Sequence, residues 1–375
     1  MVLEVGSIGI QDIEFGPETS LRDRTLVIDR AGISSFLQNR DRRIRGVQVS
    51  LARPGESTRI ICVKDVVEPW CKVSGEKPGE GRRHVLQNSA VVTCGKIVGF
   101  QEGIIDMAGP GALYSPFANT LNVVLEIEVD ADLDPHQHEE VVRTTGLAAA
   151  NLLGETGRAT QPDQVEIFDP VSHPSVSSAL PRIAYVYLLL SQGLLHDTYV
   201  FGQNAREGLP QLIAIGELLD GAVTSGNCVS ACDKNTTWHH QNNPVLRELL
   251  ARHGQTLNFV GVVLSNELVR LAAKQSAAEE AIRLAAGLEP DGVVISKEGF
   301  GNPDADQMML IRGLEKQGIK TVSITDEFAG PDGFSQSLAD STPEADATVS
   351  VGNANERVIL PPMNRIIGPI KDLTS

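Results

Sequence analysis

The sequence has 375 residues, of which 41% are hydrophobic and 21% charged, a composition typical of a folded protein with two or three domains. Its 48 acidic residues outnumber 32 Lys and Arg, and the net charge of −16 disfavours nucleic-acid binding. No apolar run approaches the roughly 18 residues of a membrane-spanning helix, and the N-terminus lacks a signal-peptide pattern. We therefore expect a cytoplasmic protein with reduced thiols.

The first part of the chain is predicted to be rich in β-strands, because short runs of β-branched residues alternate with Gly, Pro, Asp and Asn. A helix is predicted to begin after Asp134, with Pro135 at its first position, and to end near Gly154. The Ser- and Pro-rich segment 171–181 is predicted to be a linker. The strands predicted in this part are 25–29, 46–51, 57–63, 90–100 and 122–129.

Beyond residue 181 the pattern changes to strands separated by helices, which predicts a parallel sheet of Rossmann-like type. Asn302 is the expected N-cap of the last helix. The chain is therefore predicted to be an α/β protein with a β-rich N-terminal domain (1–133), a helical link and linker (134–181), and a doubly wound C-terminal domain (182–375). The strands predicted here are 182–190, 258–264, 291–296 and 320–325, with helices at 266–287 and 303–318.

Acidic residues follow two of these strands, where the carboxyl ends of parallel strands gather ligands. Glu298, Asp326 and Glu327 are therefore candidates for binding a cationic amine, with helix capping as the alternative interpretation. The nearby EGFGNPD lacks the glycine spacing and lysine of nucleotide-binding loops, so no nucleotide is expected.

The segment GAVTSGNCVSACDKN, residues 221–235, is the most unusual of the chain. Gly226 and Asn227 tolerate strained backbone conformations, and Cys228 supplies a nucleophile beside the peptide bond. Attack of the Cys228 thiolate on the Asn227 carbonyl would give a thioester. Loss of the Cys228 α-proton, β-elimination and hydrolysis would then leave a pyruvoyl group on residue 228, which acts as an electron sink for amine substrates.

Other interpretations of this segment stay open. Cys228 and Cys232 are two buried thiols in the simplest case, and they are too few for a zinc site because His239 and His240 are adjacent. Cleavage that keeps the thiol would give an N-terminal-nucleophile amidohydrolase. An uncleaved chain would be a non-catalytic scaffold or ligand-binding subunit.

Four polar residues near this segment are further candidates. His196 and Asp197 follow an apolar strand and are suited to orient a base, although a capped turn explains them equally well. Asp233 and Lys234 are suited to bind a substrate carboxylate and polarise a ketone, although a solvated charged turn is the simpler interpretation.

The segment SGNCVSACDKN resembles the processing site of the glycine/sarcosine/betaine reductase component B family. The resemblance extends over essentially the whole chain, and D-proline reductase is a more distant relative. The strings that carry it are ARPGESTRI (52–60), KDVVEP (64–69), AVVTCGKIVGFQEGIIDMAGPG (90–111), QGLLHDTYVFG (192–202), NFVGVV (258–263), EGFGNPD (298–304), TDEFAGPDGFSQSLAD (325–340) and GNANERVILPPM (352–363).

The resemblance implies that Asn227–Cys228 is the scissile pair and that Cys228 becomes the pyruvoyl group, without metal or nucleotide. It implies reductive C–N cleavage of glycine or an N-methylated glycine in a hetero-oligomer. The implied partners are a component B subunit bearing selenocysteine or cysteine and a carrier selenoprotein, component A. This chain contains no selenocysteine, and between CKVSG and RRHVL it has only EKPGEG where the family has a longer Pro/Gly-rich insertion.

Overall fold

The computed structural model describes residues 2–96, 103–168, 179–191, 197–226, 234–299, 301–325, 338–351 and 358–371. It confirms a mixed α/β protein with several sheets and few helices. The three-domain division and the doubly wound description of the C-terminal part stay predictions. No helix in the described ranges has the length and apolar character needed to cross a membrane.

The first 168 residues contain most of the strands. Two short 3-10 helices, Pro110–Tyr114 and Pro116–Asn119, precede the last long strand of this part. The other elements are β1 (Leu3–Gly9), β2 (Asp12–Phe15), β3 (Ser20–Arg22), β4 (Thr25–Ile28), α1 (Arg30–Arg40), β5 (Ile44–Ala52), β6 (Thr58–Val67), β7 (Trp70–Ser74), β8 (Gly81–Gln87), β9 (Ser89–Cys94), β10 (Gly103–Asp106), β11 (Leu121–Val129), α2 (Pro135–Glu155) and β12 (Gln164–Phe168).

The remaining residues alternate strands with helices. The elements are β13 (Arg182–Leu190), β14 (Thr198–Val200), β15 (Gln203–Asn204), β16 (Gln211–Ile213), α3 (Ile215–Leu219), β17 (Val223–Ser225), α4 (Thr237–Gln241), α5 (Pro244–Arg252), β18 (Asn258–Glu267), α6 (Leu271–Ala286), β19 (Gly292–Ser296), α7 (Asn302–Glu315), β20 (Lys320–Thr325), β21 (Thr348–Ser350) and β22 (Arg365–Ile367).

Local signals explain the helix that follows the N-terminal strands. Asp134 caps α2 by accepting hydrogen bonds from the backbone N–H groups of His136 and Gln137, at 2.9 and 3.0 Å. In turn, the backbone N–H of Asp134 donates to Gln137 Oε1, which completes a capping box around Pro135. The predicted start of this helix is therefore confirmed. The last predicted helix begins one residue earlier than expected, because Gly301 and not Asn302 is the N-cap of α7.

The C-terminal sheet has the strand order β16-β18-β13-β19-β20-β21, and all its neighbouring pairs except β16–β18 are parallel. Strand β13 is buried on both faces, which its continuous apolar sequence predicts. Ala184, Val186 and Leu188 share a core with α6 and α7. Tyr185 and Tyr187 point the other way, into a core that also contains residues of β1 and β8. The N-terminal and C-terminal parts of the chain therefore share one hydrophobic core.

Among the described residues, four further sheets have the strand orders β12-β1-β8-β7, β10-β6-β9-β11-β5, β15-β14-β17 and β2-β4-β3. The second of these also receives β22, which pairs in parallel with the start of β6. Strand β6 contains two register shifts, one at Cys62 and one at Lys64, and Cys62 adopts a positive φ of 62°. Such bulges re-aim side chains, and both Lys64 and Asp65 are buried here.

Candidate functional site

The described residues show the surroundings of the predicted processing segment, which from here on means the part of the chain between Gly226 and Lys234. Strand β17 ends at Ser225, and the description resumes at Lys234 after the predicted scissile pair. Lys234, Glu298 and Asp197 are described. The other six predicted site residues lie outside the described residues: Asn227, Cys228, His196, Asp233, Asp326 and Glu327.

The upstream end of the segment is held through its backbone. The N–H of Ser225 donates to Thr237 Oγ1 at 2.9 Å, and the N–H of Gly226 donates to the carbonyl oxygen of Asp197 at 2.9 Å. A Cβ atom on Gly226 would lie 2.7 Å from that oxygen and 2.9 Å from Glu139 Oε1. The backbone of Gly226 is not in the left-handed region, so close packing is the reason for glycine here, and not the unusual conformation that we expected.

The downstream end is held by a buried charge. The Lys234 side chain is fully buried and donates a hydrogen bond from Nζ to Thr198 Oγ1. Its ammonium nitrogen lies 3.8 Å from Glu298 Oε1, and both side chains are excluded from solvent. The expected alternative of a solvated charged turn is therefore wrong for Lys234. In a buried site this positive charge acts at low effective dielectric, where it is strongest.

Glu298 lies where three elements meet. Its carboxylate accepts hydrogen bonds from the backbone N–H groups of Leu190, at the end of β13, and Asn235, at 2.7 and 3.0 Å. The predicted position of Glu298 at the carboxyl edge of the sheet is confirmed by these contacts. They hold the downstream end of the segment against the sheet.

His240 completes the surroundings of Glu298. Its Nε2 atom lies 3.6 Å from Glu298 Oε1, and its Nδ1 atom is 2.8 Å from the Tyr187 hydroxyl. Burial, followed by the charge of Lys234, lowers the pKa of His240 well below its usual 6.5. His240 is therefore neutral, and Lys234 supplies the positive charge beside Glu298.

Glu267 is a site residue that the sequence prediction missed. It ends β18, its Oε1 atom accepts a hydrogen bond from the Glu298 N–H at 3.2 Å, and it is fully buried. Burial, followed by the charge of Glu298, raises the pKa of Glu267 well above 4.5, which favours the protonated form of this carboxyl. The sequence placed this residue in a helix starting at 266, whereas β18 continues to Glu267 and α6 begins at Leu271.

Asp65 reaches the site from the N-terminal part of the chain. It accepts hydrogen bonds from the backbone N–H and the hydroxyl of Thr237, at 2.8 and 2.5 Å. Burial raises the pKa of Asp65 to about 7, although the bonds from Thr237 and the charge of Lys234 oppose this. Thr237 thus connects Asp65 to Ser225. The charged pair Lys64–Asp65 inside an apolar strand was the signal that could have identified it.

Asp197 contributes mainly through its backbone. Its carboxylate accepts a hydrogen bond from Arg206 Nη2 at 2.8 Å, while its carbonyl oxygen holds Gly226. The predicted role of orienting a base together with His196 stays a prediction. Within the described parts of the chain, no group of three His, Cys, Asp or Glu residues is arranged to hold a metal ion.

The arrangement joins a buried ammonium group, a carboxyl with a raised pKa and several fixed backbone donors around a short peptide segment. Such a set can polarise a carbonyl and move protons without reorganising water. It also restricts the backbone on both sides of the segment. These are properties that a peptide rearrangement and a carbonyl-dependent reaction both require.

Comparison with known proteins identifies the family of the chain. The whole chain, residues 1–375, matches the family described as glycine/sarcosine/betaine reductase component B subunits. The glycine reductase complex component B subunits alpha and beta of Acetoanaerobium sticklandii are 49% identical over 99% of this chain and 89% of their own length. The betaine reductase complex component B subunit alpha of Peptoclostridium acidaminophilum is 35% identical over 100% of this chain and 89% of its own length.

A more distant relative is the D-proline reductase proprotein of Acetoanaerobium sticklandii, which is 20% identical over 84% of this chain and 53% of its own length. No solved structure matches the chain. These similarities show that the chain is an oxidoreductase subunit. More particularly, it belongs to the glycine/sarcosine/betaine reductase component B family, which confirms the resemblance seen in the sequence.

Proposed function

We propose that this chain is the pyruvoyl-bearing subunit of a reductase complex that cleaves the C–N bond of glycine or an N-methylated glycine. The chain would cut itself between Asn227 and Cys228, and residue 228 would become the pyruvoyl group. The observation that carries the proposal is the clamping of both ends of this segment by buried groups: Asp197 and Thr237 upstream, and Glu298 downstream.

The proposed cleavage consumes only water and needs no outside oxidant or reductant. The Cys228 thiol loses its proton, its sulfur bonds to the Asn227 carbonyl carbon, and the C–N bond breaks as the nitrogen gains a proton. Loss of the Cys228 α-proton and of the C–S bond then leaves dehydroalanine, with the sulfur departing on the Asn227 acyl group as a thiocarboxylate. Water hydrolyses the dehydroalanine to a ketone with release of ammonia.

The described residues fit a pyruvoyl group at this position. The Lys234 ammonium is buried at the downstream end of the segment, where it can hold a substrate carboxylate or a developing oxyanion. Glu267, whose protonated form is favoured by burial, contacts the backbone N–H of Glu298 and can hold or deliver a proton. When present, the pyruvoyl ketone supplies an electron sink for the substrate's C–N bond.

The family determines the proposed partners, because the named relatives are components of glycine, sarcosine and betaine reductase complexes. We propose that a second component B subunit, bearing selenocysteine or cysteine, supplies the nucleophile that this chain lacks. A carrier selenoprotein would accept the acyl unit. Betaine has no N–H group, so one amine-condensation mechanism cannot serve every member of the family.

The test is the intact mass of protein purified from its native host, with Cys228→Ala expressed in the same host as the control. We expect two fragments, 1–227 and 228–375, with the second blocked to Edman sequencing and reactive toward a hydrazine. The Cys228→Ala variant should stay at full length. A fragment that begins with unmodified Cys228 would instead establish the amidohydrolase alternative, and an uncleaved, hydrazine-inert chain would favour a scaffold.

A further inference from the structure

A buried ion pair lies beside Gly226, at the upstream end of the segment. Glu139 and Arg143 are one turn apart on α2, are 2% and 8% exposed, and are joined by an Arg143 Nε to Glu139 Oε1 hydrogen bond of 2.8 Å. The Tyr199 hydroxyl donates to Glu139 Oε2 at 3.0 Å, and the Arg143 guanidinium lies 3.6 Å from the centre of the Tyr199 ring. We call these three residues the Glu139 cluster.

The Glu139 cluster lies next to Gly226, the residue that precedes the proposed cleavage pair. Glu139 Oε1 and the Tyr199 ring are two of the three groups nearest to the position of a Cβ on Gly226, at 2.9 and 3.1 Å. Gly226 is followed directly by Asn227, whose carbonyl is the proposed point of attack. No other carboxyl oxygen is among the three atoms nearest to that position.

Burial of a carboxylate is unfavourable unless its partners compensate, so such a pair beside a reactive segment indicates function. Burial raises the pKa of Glu139 above 4.5, the charge of Arg143 and the bonds from Arg143 and Tyr199 oppose this, and the charge of Asp197 adds to the increase. A carboxyl with a raised pKa exchanges protons with a thiol more readily than an ordinary one.

We infer that Glu139 carries the proton of the self-cleavage step, an inference that rests on the proposed function. Glu139 takes the proton from the Cys228 thiol as the sulfur bonds to the Asn227 carbonyl carbon. It returns the proton to the Cys228 nitrogen as the C–N bond breaks. The step is an isomerisation in which no proton or electron is gained or lost.

In this scheme Arg143 and Tyr199 are positioning residues. Arg143 holds one carboxyl oxygen and Tyr199 the other, and the stacking of the guanidinium on the ring fixes both. Glu139 is thereby kept in a single orientation toward Gly226.

The test compares Glu139→Gln with Glu140→Gln in the full-length chain. Glu140 is the next residue on α2, its side chain is 50% exposed, and it pairs with Arg43 at 2.8 Å. Cleavage is followed by denaturing gel after synthesis of the precursor, between pH 5.5 and 8.5. We expect Glu139→Gln to slow cleavage about 100-fold and to flatten its pH dependence, and Glu140→Gln to cleave like the wild type.

Near-ultraviolet circular dichroism and thermal melting check that each precursor is folded, measured in a Cys228→Ala background. If Glu139→Gln disturbs the fold, two other variants replace it. Glu139→Asp keeps the carboxyl group, and Tyr199→Phe keeps the aromatic ring. Both variants keep the Glu139 position acidic, so each is then expected to cleave with the pH dependence of the wild type preserved. Glu139→Asp should retain most of the wild-type cleavage rate, and Tyr199→Phe should cleave more slowly than the wild type.

Wild-type rate and pH dependence in a folded Glu139→Gln chain would overturn the inference while leaving the proposed function intact. A folded Glu139→Asp chain that does not cleave, or that has lost its pH dependence, would overturn it as well. A wild-type chain that does not cleave at all would remove the proposed function itself.

Discussion

The two ends of the segment between Gly226 and Lys234 are held by different kinds of interaction. The upstream end is held by backbone hydrogen bonds in a space too small for any side chain on Gly226. The downstream end is held by a fully buried ion pair between Lys234 and Glu298. The upstream end should therefore be sensitive to added volume and the downstream end to lost charge. Thr237 and Asp65 connect the two, because Thr237 bonds both Ser225 and Asp65 and the charge of Lys234 acts on Asp65.

The largest effect is expected from removing the charge at the downstream end. Lys234→Met leaves Glu298 buried without its cation, and breaking such a pair destabilises by about 3–5 kcal/mol. Urea unfolding of the Cys228→Ala precursor measures this loss. Lys320→Met, at a side chain that is 79% exposed and paired with Glu315, is the matched control and should change stability by less than about 0.5 kcal/mol. Equal stability of the two variants would contradict a charge-dependent downstream end.

The connection between the two ends should depend on pH. The pKa of Asp65 is raised to about 7 in the folded chain, against 3.8 when unfolded, so its stabilising contribution is complete below pH 4 and is lost as the pH rises to about 7. Asp65→Asn imitates the protonated form and should lack this loss. The free energy of unfolding of the wild type should therefore fall relative to that of Asp65→Asn between pH 4 and 7.5, by on the order of 3 kcal/mol.

Urea midpoints at several pH values give this comparison. Asp197→Asn is a control with a buried carboxyl that pairs with Arg206. A constant difference between wild type and Asp65→Asn over that range would show that Asp65 is ionised throughout.

Added volume should matter at the upstream end. Gly226→Ala places a methyl group 2.7 Å from the Asp197 carbonyl oxygen, and such overpacking destabilises by about 1–3 kcal/mol. Gly287→Ala is the control, because its nearest neighbours lie at 3.4 Å and an alanine fits there. Thermal melting and the cleaved fraction on a denaturing gel are the measurements. An alanine tolerated at 226 without loss of either would refute the tight upstream end.

The smallest effect is expected at Thr237. Thr237→Val leaves the Ser225 N–H and one oxygen of Asp65 without a protein partner, which costs about 1–2 kcal/mol. Thr144→Val removes a hydroxyl that bonds only within the exposed face of α2 and should stay within about 0.5 kcal/mol of the wild type. Chemical denaturation separates the two, and a Thr237→Val chain as stable as Thr144→Val would mean that the ends are not coupled.

The elements that the sequence predicted best have strong local signals. Strand β13 occupies the predicted residues 182–190 because an unbroken apolar run requires burial on both faces. Helix α2 begins after Asp134 because the cap, the proline and Gln137 all favour that start. By contrast, β22 is three residues long and depends on pairing with β6, more than 300 positions away, which no local pattern indicates.

The same distinction applies to the site. Lys234 and Glu298 were predicted because they lie beside the unusual segment and after an apolar strand. Asp65 and Glu139 were missed because they come from the N-terminal part, and only the packing of that part against β17 and α4 brings them near. A single sequence contains no register or packing information of this kind.

The strand order of the C-terminal sheet has a consequence for the proposed products. Strand β13 belongs to 1–227 and is inserted between β18 and β19, both from 228–375, while β22 of the second product joins the sheet of the first. The two polypeptides would thus be created as an interleaved pair in a fixed one-to-one ratio, without any encounter in solution. Dilution would not separate them, and halves synthesised apart would each lack the neighbours that their innermost strands require.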